Sequence, residues 1–263
     1  MRDILIDLND MLSDPDPVRR AQIQMKKPVH KRFYKDVTTS EGPNGVAILL
    51  DGKPLKTPAR NNLALPTRAL ALLVAKEWDD QRDVIDPAAM PITRLVNTAI
   101  DAIARNPEPV HLDIVKFAGT DHLCYRADAP QSLVERQSQL WDPIVQWAAS
   151  EFGARFVLAE GVIHQAQPEA AISAFSERLA AFRSAIELAS LHMLTSITGS
   201  ALLALAFAEG RITAEEAWTL AHVDEDWNIE HWGEDDEAAA RRQNRLKDFN
   251  AACMAFKAVK NQL

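Results

Sequence analysis

The sequence is poor in cysteine and carries fewer basic than acidic side chains. Its 263 residues include only two cysteines, Cys124 and Cys253, which lie far apart and form no C-x-x-C pair. A disulfide framework is therefore not expected, and a reducing compartment is the natural setting. The 29 basic residues are outnumbered by 37 acidic ones, for a formal net charge of -8. This balance argues against general binding of nucleic acids, which needs a positively charged surface against the phosphates.

The start of the chain lacks the features of a targeting segment. Asp3, Asp7 and Asp10 interrupt it, so the apolar core of a signal peptide is missing there, and these acids are atypical of a mitochondrial transit peptide. We therefore expect a cytoplasmic protein of a bacterium. Residues 1–30 are expected to form a leader that packs late or moves freely and carries no chemistry.

The motifs of nucleotide-binding and hydrolytic enzymes are also missing. Neither G-x-G-x-x-G nor G-x-x-x-x-G-K-[ST] occurs in the chain. Gly199-Ser200 lacks the second glycine of a nucleophile elbow, so a serine hydrolase is not expected. The sequence thus favours a protein without catalytic residues, cofactor or small-molecule substrate.

One uncharged run raises the question of a membrane span. The residues from Leu188 to Ala208 include no Asp, Glu, Lys or Arg, and about 20 apolar residues suffice to cross a bilayer. The run also contains serines, threonines and His192, whose polar groups would lack partners in lipid. We therefore predict one buried central helix from Leu188 to Glu209 and no membrane insertion.

The N-terminal part carries the turn signals of a small antiparallel sheet. Residues 41–45 (E-G-P-N-G) have turn chemistry. Asp51-Gly52 follows the apolar run Val46 to Leu50 and predicts a type I′ hairpin, because both turn positions need a positive φ. At Thr67, a candidate N-cap, the apolar period changes to that of a helix. A second short helix is expected from Thr93 to Ala104.

Beyond a proline-rich boundary at 106–109 the sequence is predominantly helical. A long helix is predicted from Ser132 to Phe152 and ends at Gly153. Thr213 and Glu216 have the spacing of a capping box. The sequence therefore predicts the α+β class, with a small antiparallel β-rich domain at 31–108 followed by a mainly α-helical domain at 109–263.

Residues 221–237 (A-H-V-D-E-D-W-N-I-E-H-W-G-E-D-D-E) interleave acids with tryptophans. At helical spacing Trp227 and Glu230 share a face, and so would Glu230 and Glu234. Gly233 permits a break in the helix. Like charges at this density cost stability, so we consider three interpretations: a solvated acidic helix face, an acidic and aromatic patch for a basic protein partner, or a metal or acid–base site.

The third interpretation has a concrete form. A metal-dependent hydrolase would use the segment 222–237, with His222, Asp226 and Glu230 at its centre. The known zincin spacing is absent, and a metal site here would need further ligands from elsewhere in the chain.

Several separated motifs, in order, carry a resemblance to one family. They are R-F-Y-K at 32–35, L-D-G-K-P-L-K-T-P at 50–58, E-W-D-D-Q at 77–81, M-P-I-T at 90–93, D-H-L-C-Y at 121–125, W-D-P at 141–143, T-G-S at 198–200 and the block 225–237. Over nearly the whole chain after Lys31, the sequence resembles the assembly chaperones of the F1 head of F-type ATP synthase, of the mitochondrial F1 complex assembly factor 2 type. The absence of a transit-like start favours a bacterial member.

The resemblance implies a binding role and no enzymatic one. Such a chaperone holds the newly made alpha subunit until the beta subunit replaces it, in the mitochondrial matrix for eukaryotic members. The family fold is a small β-rich N-terminal domain and a helical C-terminal domain. The family's acidic segment maps onto Glu230-His231-Trp232-Gly233-Glu234. The expected partner-binding residues are Glu225, Asp226, Trp227, Glu230, Trp232, Gly233, Glu234 and Asp235.

Overall fold

The computed structural model describes residues 30–161 and 165–261. The expected leader therefore lies outside the described residues, apart from His30. The chain forms two compact units. The first extends to Arg105 and also includes the residues from Lys257 onward, and the second is Asn106–Phe256.

The first unit is built on a small antiparallel sheet. Its strands are β1 (Val37–Gly42), β2 (Gly45–Leu50), β3 (Lys53–Pro54) and β4 (Ala64–Leu65). β2 pairs with each of the other three, and its alternate residues Val46, Ile48 and Leu50 are buried. The sheet and the helices that follow it confirm the predicted α+β class.

The hairpin predicted at Asp51-Gly52 is confirmed. Leu50 pairs with Lys53, and the two residues between them have φ of 47° and 75°. Both angles are positive, as the type I′ turn requires. The Asp51 carboxylate also accepts the backbone N–H groups of Lys35 and Asp36, which joins the turn to the segment before β1.

Two helices pack in the first unit, α1 (Arg68–Asp79) and α2 (Pro91–Asp101). The Thr67 hydroxyl caps α1 by accepting the Leu70 N–H, as predicted. The second helix begins earlier than the predicted Thr93, because Pro91 occupies its first turn and the Glu77 carboxylate accepts the N–H groups of Ile92 and Thr93. Short 3-10 helices lie at Pro87–Ala89 and Ile103–Arg105.

The motifs at 32–35 and 77–81 meet in one hydrogen-bond network. The Arg32 guanidinium donates to four carbonyls, those of Tyr34, Lys35, Asp79 and Gln81. The Tyr34 hydroxyl donates to the Trp78 carbonyl at 2.6 Å. These residues therefore fasten the end of α1 to the chain that enters the sheet, which is a structural role.

The second unit is mainly helical. Its helices among the described residues are α3 (Glu108–Ala118), α4 (Gln131–Phe152), α5 (Glu169–Leu179), α6 (Ala185–Thr198), α7 (Ala201–Ala208), α8 (Ala214–Ala221), α9 (Val223–Trp232) and α10 (Asp236–Val259), whose last residues belong to the first unit. A 3-10 helix at His122–Cys124 leads into β5 (Tyr125–Arg126), which pairs in parallel with β6 (Ala159–Glu160). The predicted Gly153 end of α4 and the Thr213–Glu216 capping box are both confirmed.

The single helix predicted from Leu188 to Glu209 is wrong, because the chain breaks at Gly199. Gly199 has φ of 66°, and the Ser200 hydroxyl caps α7 by accepting the Leu203 N–H at 3.0 Å. Both resulting helices, α6 and α7, are largely buried. Within the described ranges, none of the helices is long and apolar enough to cross a membrane.

Buried Asp121 supports this break from another part of the chain. One of its carboxylate oxygens accepts the Leu202 N–H at 2.9 Å and the other accepts the Leu123 N–H at 3.1 Å. The neighbouring His122 N–H donates to the Gly199 carbonyl at 3.0 Å. Burial, partly offset by these hydrogen bonds, raises the pKa of Asp121 to about 6.

Candidate partner-binding site

The acidic segment is divided among two helices and the turn between them. α9 begins after His222 and ends at Trp232, where Gly233 takes a φ of 86°. The break predicted at Gly233 is therefore confirmed. The expectation that Glu230 and Glu234 share a helix face is wrong, because α9 has ended before Glu234. Three of its four acids, at 224–226, lie in the first turn, where the helix dipole favours negative charge.

The first two predicted site residues hold α9 against α10. The Glu225 carboxylate accepts from the Arg245 guanidinium at 2.8 Å, and Asp226 forms an ion pair with Arg242. Both carboxylates are partly buried. Their charge is thus matched inside the protein, which explains how so acidic a segment folds stably.

Glu230 is matched in the same way by a residue of α4. Arg136 donates from its two terminal nitrogens to the two carboxylate oxygens, at 3.0 and 2.7 Å. These hydrogen bonds hold the pKa of Glu230 below its usual range. This contact cannot be predicted from the sequence, because Arg136 lies 94 residues earlier, in an ordinary charged helix.

The two tryptophans have different environments. The Trp227 ring stacks on the His231 ring, with centroids 3.8 Å apart and planes 20° apart, and is partly buried. Trp232 is 80% exposed, more than any other large apolar side chain among the described residues. It borders a cleft of about 380 Å³ that is also lined by Ile229, Ala238, Ala239 and Arg242.

The remaining predicted residues form the turn beside this cleft. The Asp235 carboxylate accepts the Ala238 N–H at 2.8 Å and so caps the start of α10. Glu234 is exposed and has no hydrogen bond or ion pair to any described residue. Of the eight predicted residues, Trp232 and Glu234 are therefore the two whose side chains project freely next to the cleft.

The three residues of the metal-hydrolase alternative have separate partners. The His222 Nδ1 lies 2.7 Å from the Trp218 carbonyl, and its ring packs on that indole. Asp226 and Glu230 are engaged by arginines, as described above. The described part of the chain contains no group of three or more histidine, cysteine, aspartate or glutamate side chains placed to hold a metal ion.

The chain is similar to proteins of one family. Residues 31–149 match the model of the family described as ATP12 chaperone protein. The mitochondrial protein atp12 of Schizosaccharomyces pombe is 25% identical over 245 residues, which cover 87% of this chain and 82% of that protein.

Two bacterial crystal structures share its fold. The Atu1473 protein of Agrobacterium tumefaciens is 55% identical with a TM-score of 0.85, and the match covers 97% of this chain and 95% of that chain. Atp12 from Paracoccus denitrificans is 38% identical with a TM-score of 0.80, over 88% of this chain and 98% of that chain.

Proposed function

This chain belongs to the ATP12 chaperone family, and we propose that it binds the unassembled alpha subunit of F-type ATP synthase and prevents its aggregation during assembly of the F1 head. The role is one of binding, without a chemical step. Its setting is the cytoplasm of a bacterium, in keeping with the two bacterial relatives, whereas the relative from Schizosaccharomyces pombe is named as mitochondrial.

The observation that carries the proposal is the exposure of Trp232. The indole is 80% exposed beside a cleft, and tryptophan is enriched among the residues that dominate binding energy. An unassembled subunit exposes the apolar surfaces meant for its neighbours, and covering them would suppress aggregation. Release to the beta subunit then requires an interface of moderate affinity.

The partner-binding surface that we propose consists of the eight residues predicted from the sequence and lies in the helical domain. Trp232 and Glu234 contact the alpha subunit with their side chains, and Gly233 and Asp235 set the turn that presents them. Glu225, Asp226 and Trp227 hold α9 in place through Arg245, Arg242 and His231. The free carboxylate of Glu234 favours a basic group on the partner beside the apolar contact.

Replacing Trp232 by alanine tests the function directly. Light scattering would follow the aggregation of isolated alpha subunit at increasing concentrations of the chaperone. Loss of a central aromatic contact of about 2 kcal/mol would raise the concentration needed for half-protection roughly 30-fold. Leu112→Ala is a matched control, because Leu112 is an exposed apolar residue of the same unit that lies on α3.

Two outcomes would contradict the proposal. If the unaltered chaperone leaves aggregation of the alpha subunit unchanged, the function itself is wrong. If the chaperone protects but Trp232→Ala protects equally well, the partner-binding surface lies elsewhere. Circular dichroism of both variants should match the unaltered protein, since neither side chain belongs to the core.

A further inference from the structure

Glu230 lies in the middle of the proposed surface, yet its charge is already engaged. Both carboxylate oxygens accept from the Arg136 guanidinium. Such bidentate pairs are geometrically specific, because the planar fork of arginine matches the carboxylate. A basic group of a partner would have to compete with Arg136 for the same oxygens.

The ion pair between Arg136 and Glu230 lies near the end of α9, whereas the other polar contacts that hold this helix lie at its start. Helix α4 reaches this region three times: Trp141 donates to the Leu220 carbonyl, Gln137 donates to the Asp224 carboxylate, and Arg136 binds Glu230. The first two contacts lie before α9 or in its first turn. Helix α10 likewise holds the first turn, through the acids at 225 and 226.

The last turn of α9 depends on Arg136. Among the described residues, the Arg136–Glu230 pair is the one ion pair or side-chain hydrogen bond that joins this turn to another helix. Trp232 ends the helix two residues later, and Gly233 then allows the chain to turn freely. The polar contact at Glu230, two residues before Trp232, therefore helps to set the direction in which the indole projects.

We infer that Glu230 is a positioning residue, which fixes Trp232 and the adjoining cleft through Arg136 instead of contacting the alpha subunit itself. This inference rests on the proposed function of Trp232 as the contact residue. By this inference Arg136 is as important as Glu230 for capture of the alpha subunit, although Arg136 lies on another helix and carries the opposite charge. It also leaves Glu234 as the acid available to the partner.

Charge reversal on either side of the pair tests the inference. Affinity for the alpha subunit would be measured by pull-down titration with Glu230→Arg, Arg136→Glu and the double variant. We expect each single change to weaken capture roughly tenfold, because it places like charges together at the last turn of α9. The double variant restores the pair in reverse order and should return capture to within about threefold of the unaltered protein.

Glu234→Lys is the matched control, because it makes the same kind of charge change on the same surface at a residue without an internal partner. It should weaken capture, and adding Arg136→Glu should leave that loss unrescued. Glu237→Arg, which breaks an exposed pair with Arg241 within α10, should leave capture within about twofold.

A second measurement is independent of the partner. Hydrogen exchange of the amides at 229–232 should accelerate in each single variant of the Arg136–Glu230 pair and slow again in the double variant. The inference is overturned if Arg136→Glu captures normally, or if the double variant is as weak as Glu230→Arg. Failure of the unaltered protein to capture the alpha subunit would instead overturn the proposed function, while the exchange data would still report on the positioning.

Discussion

Replacing Asp121 by asparagine should change the way in which stability depends on pH. The Asp121 carboxylate is fully buried and accepts the backbone N–H groups of Leu123 and Leu202. Because burial disfavours the charged form, its pKa rises to about 6 in the folded protein, from an ordinary value of 3.8. Asparagine has nearly the same shape and does not titrate.

The magnitude follows from the proton bound by each state. Below about pH 3 Asp121 is protonated in both the folded and the unfolded chain, and above about pH 7 it is ionised in both. Between these values the folded state holds the proton more tightly, so the free energy of unfolding falls as the pH rises. At about 1.36 kcal/mol per pH unit, the difference between 3.8 and 6 corresponds to a loss of about 3 kcal/mol.

Asparagine at position 121 also lowers the free energy of unfolding by an amount that does not depend on pH. Its amide NH2 must face one of the two backbone N–H groups that the carboxylate accepted, which costs about 1–3 kcal/mol at every pH. The stability advantage of the unaltered protein over Asp121→Asn should therefore be largest at the acidic end and should shrink by about 2 kcal/mol between pH 4 and pH 7. Subtracting the free energies of unfolding of the two proteins at each pH removes the contribution of all the other carboxylates, which titrate alike in both.

Urea denaturation followed by tryptophan fluorescence at pH 4, 5, 6 and 7 measures this difference. Asp51→Asn serves as a control, because the contribution of Asp51 to stability should change with pH in the opposite direction. Hydrogen bonds from the backbone N–H groups of Asp36 and Lys35 hold the pKa of Asp51 below its usual range, so its stabilising effect is present above that range and is lost as the pH falls. A stability gap for Asp121→Asn that stays constant from pH 4 to 7 would refute the reasoning.

Two further predictions concern the first unit. Gly45→Ala should lower the free energy of unfolding, measured by urea denaturation, by at least about 2 kcal/mol. The reason is that the φ of Gly45 is 116° and a Cβ there would lie 2.4 Å from the Leu65 carbonyl oxygen. Gly52→Ala should lower it by only about 1 kcal/mol, because a Cβ at Gly52 would have open space, although the φ there is 75°. Tyr34→Phe should lower the free energy of unfolding by about 1 kcal/mol through loss of the 2.6 Å hydrogen bond to the Trp78 carbonyl, and an unchanged urea midpoint would exclude that contribution.

Features set by neighbouring residues could be predicted from the sequence. The Asp51-Gly52 hairpin follows from two positive φ angles that few residue pairs tolerate. The Thr213–Glu216 capping box and the end of α4 at Gly153 are equally local. The α+β class follows from these signals together with the change of apolar period at Thr67.

Features that depend on distant residues could not be predicted from the sequence. The uncharged run after Leu188 predicts one helix, although Gly199-Ser200 is a possible stop and start, because the buried carboxylate that supports the break belongs to Asp121. The pairing of Glu230 with Arg136 likewise joins residues on separate helices. The sequence shows eight candidate site residues, but only the fold distinguishes acids that hold α9 from a side chain that projects freely.

The discontinuity of the first unit bears on the order in which the protein matures during translation. The Thr67 hydroxyl donates to the carbonyl of Ala258, 191 residues later, and both belong to that unit. A ribosome that has released the β-strands and α1 must still synthesise the whole second unit before the residue that receives this hydrogen bond exists. The part of the molecule made first is thus among the last to be completed.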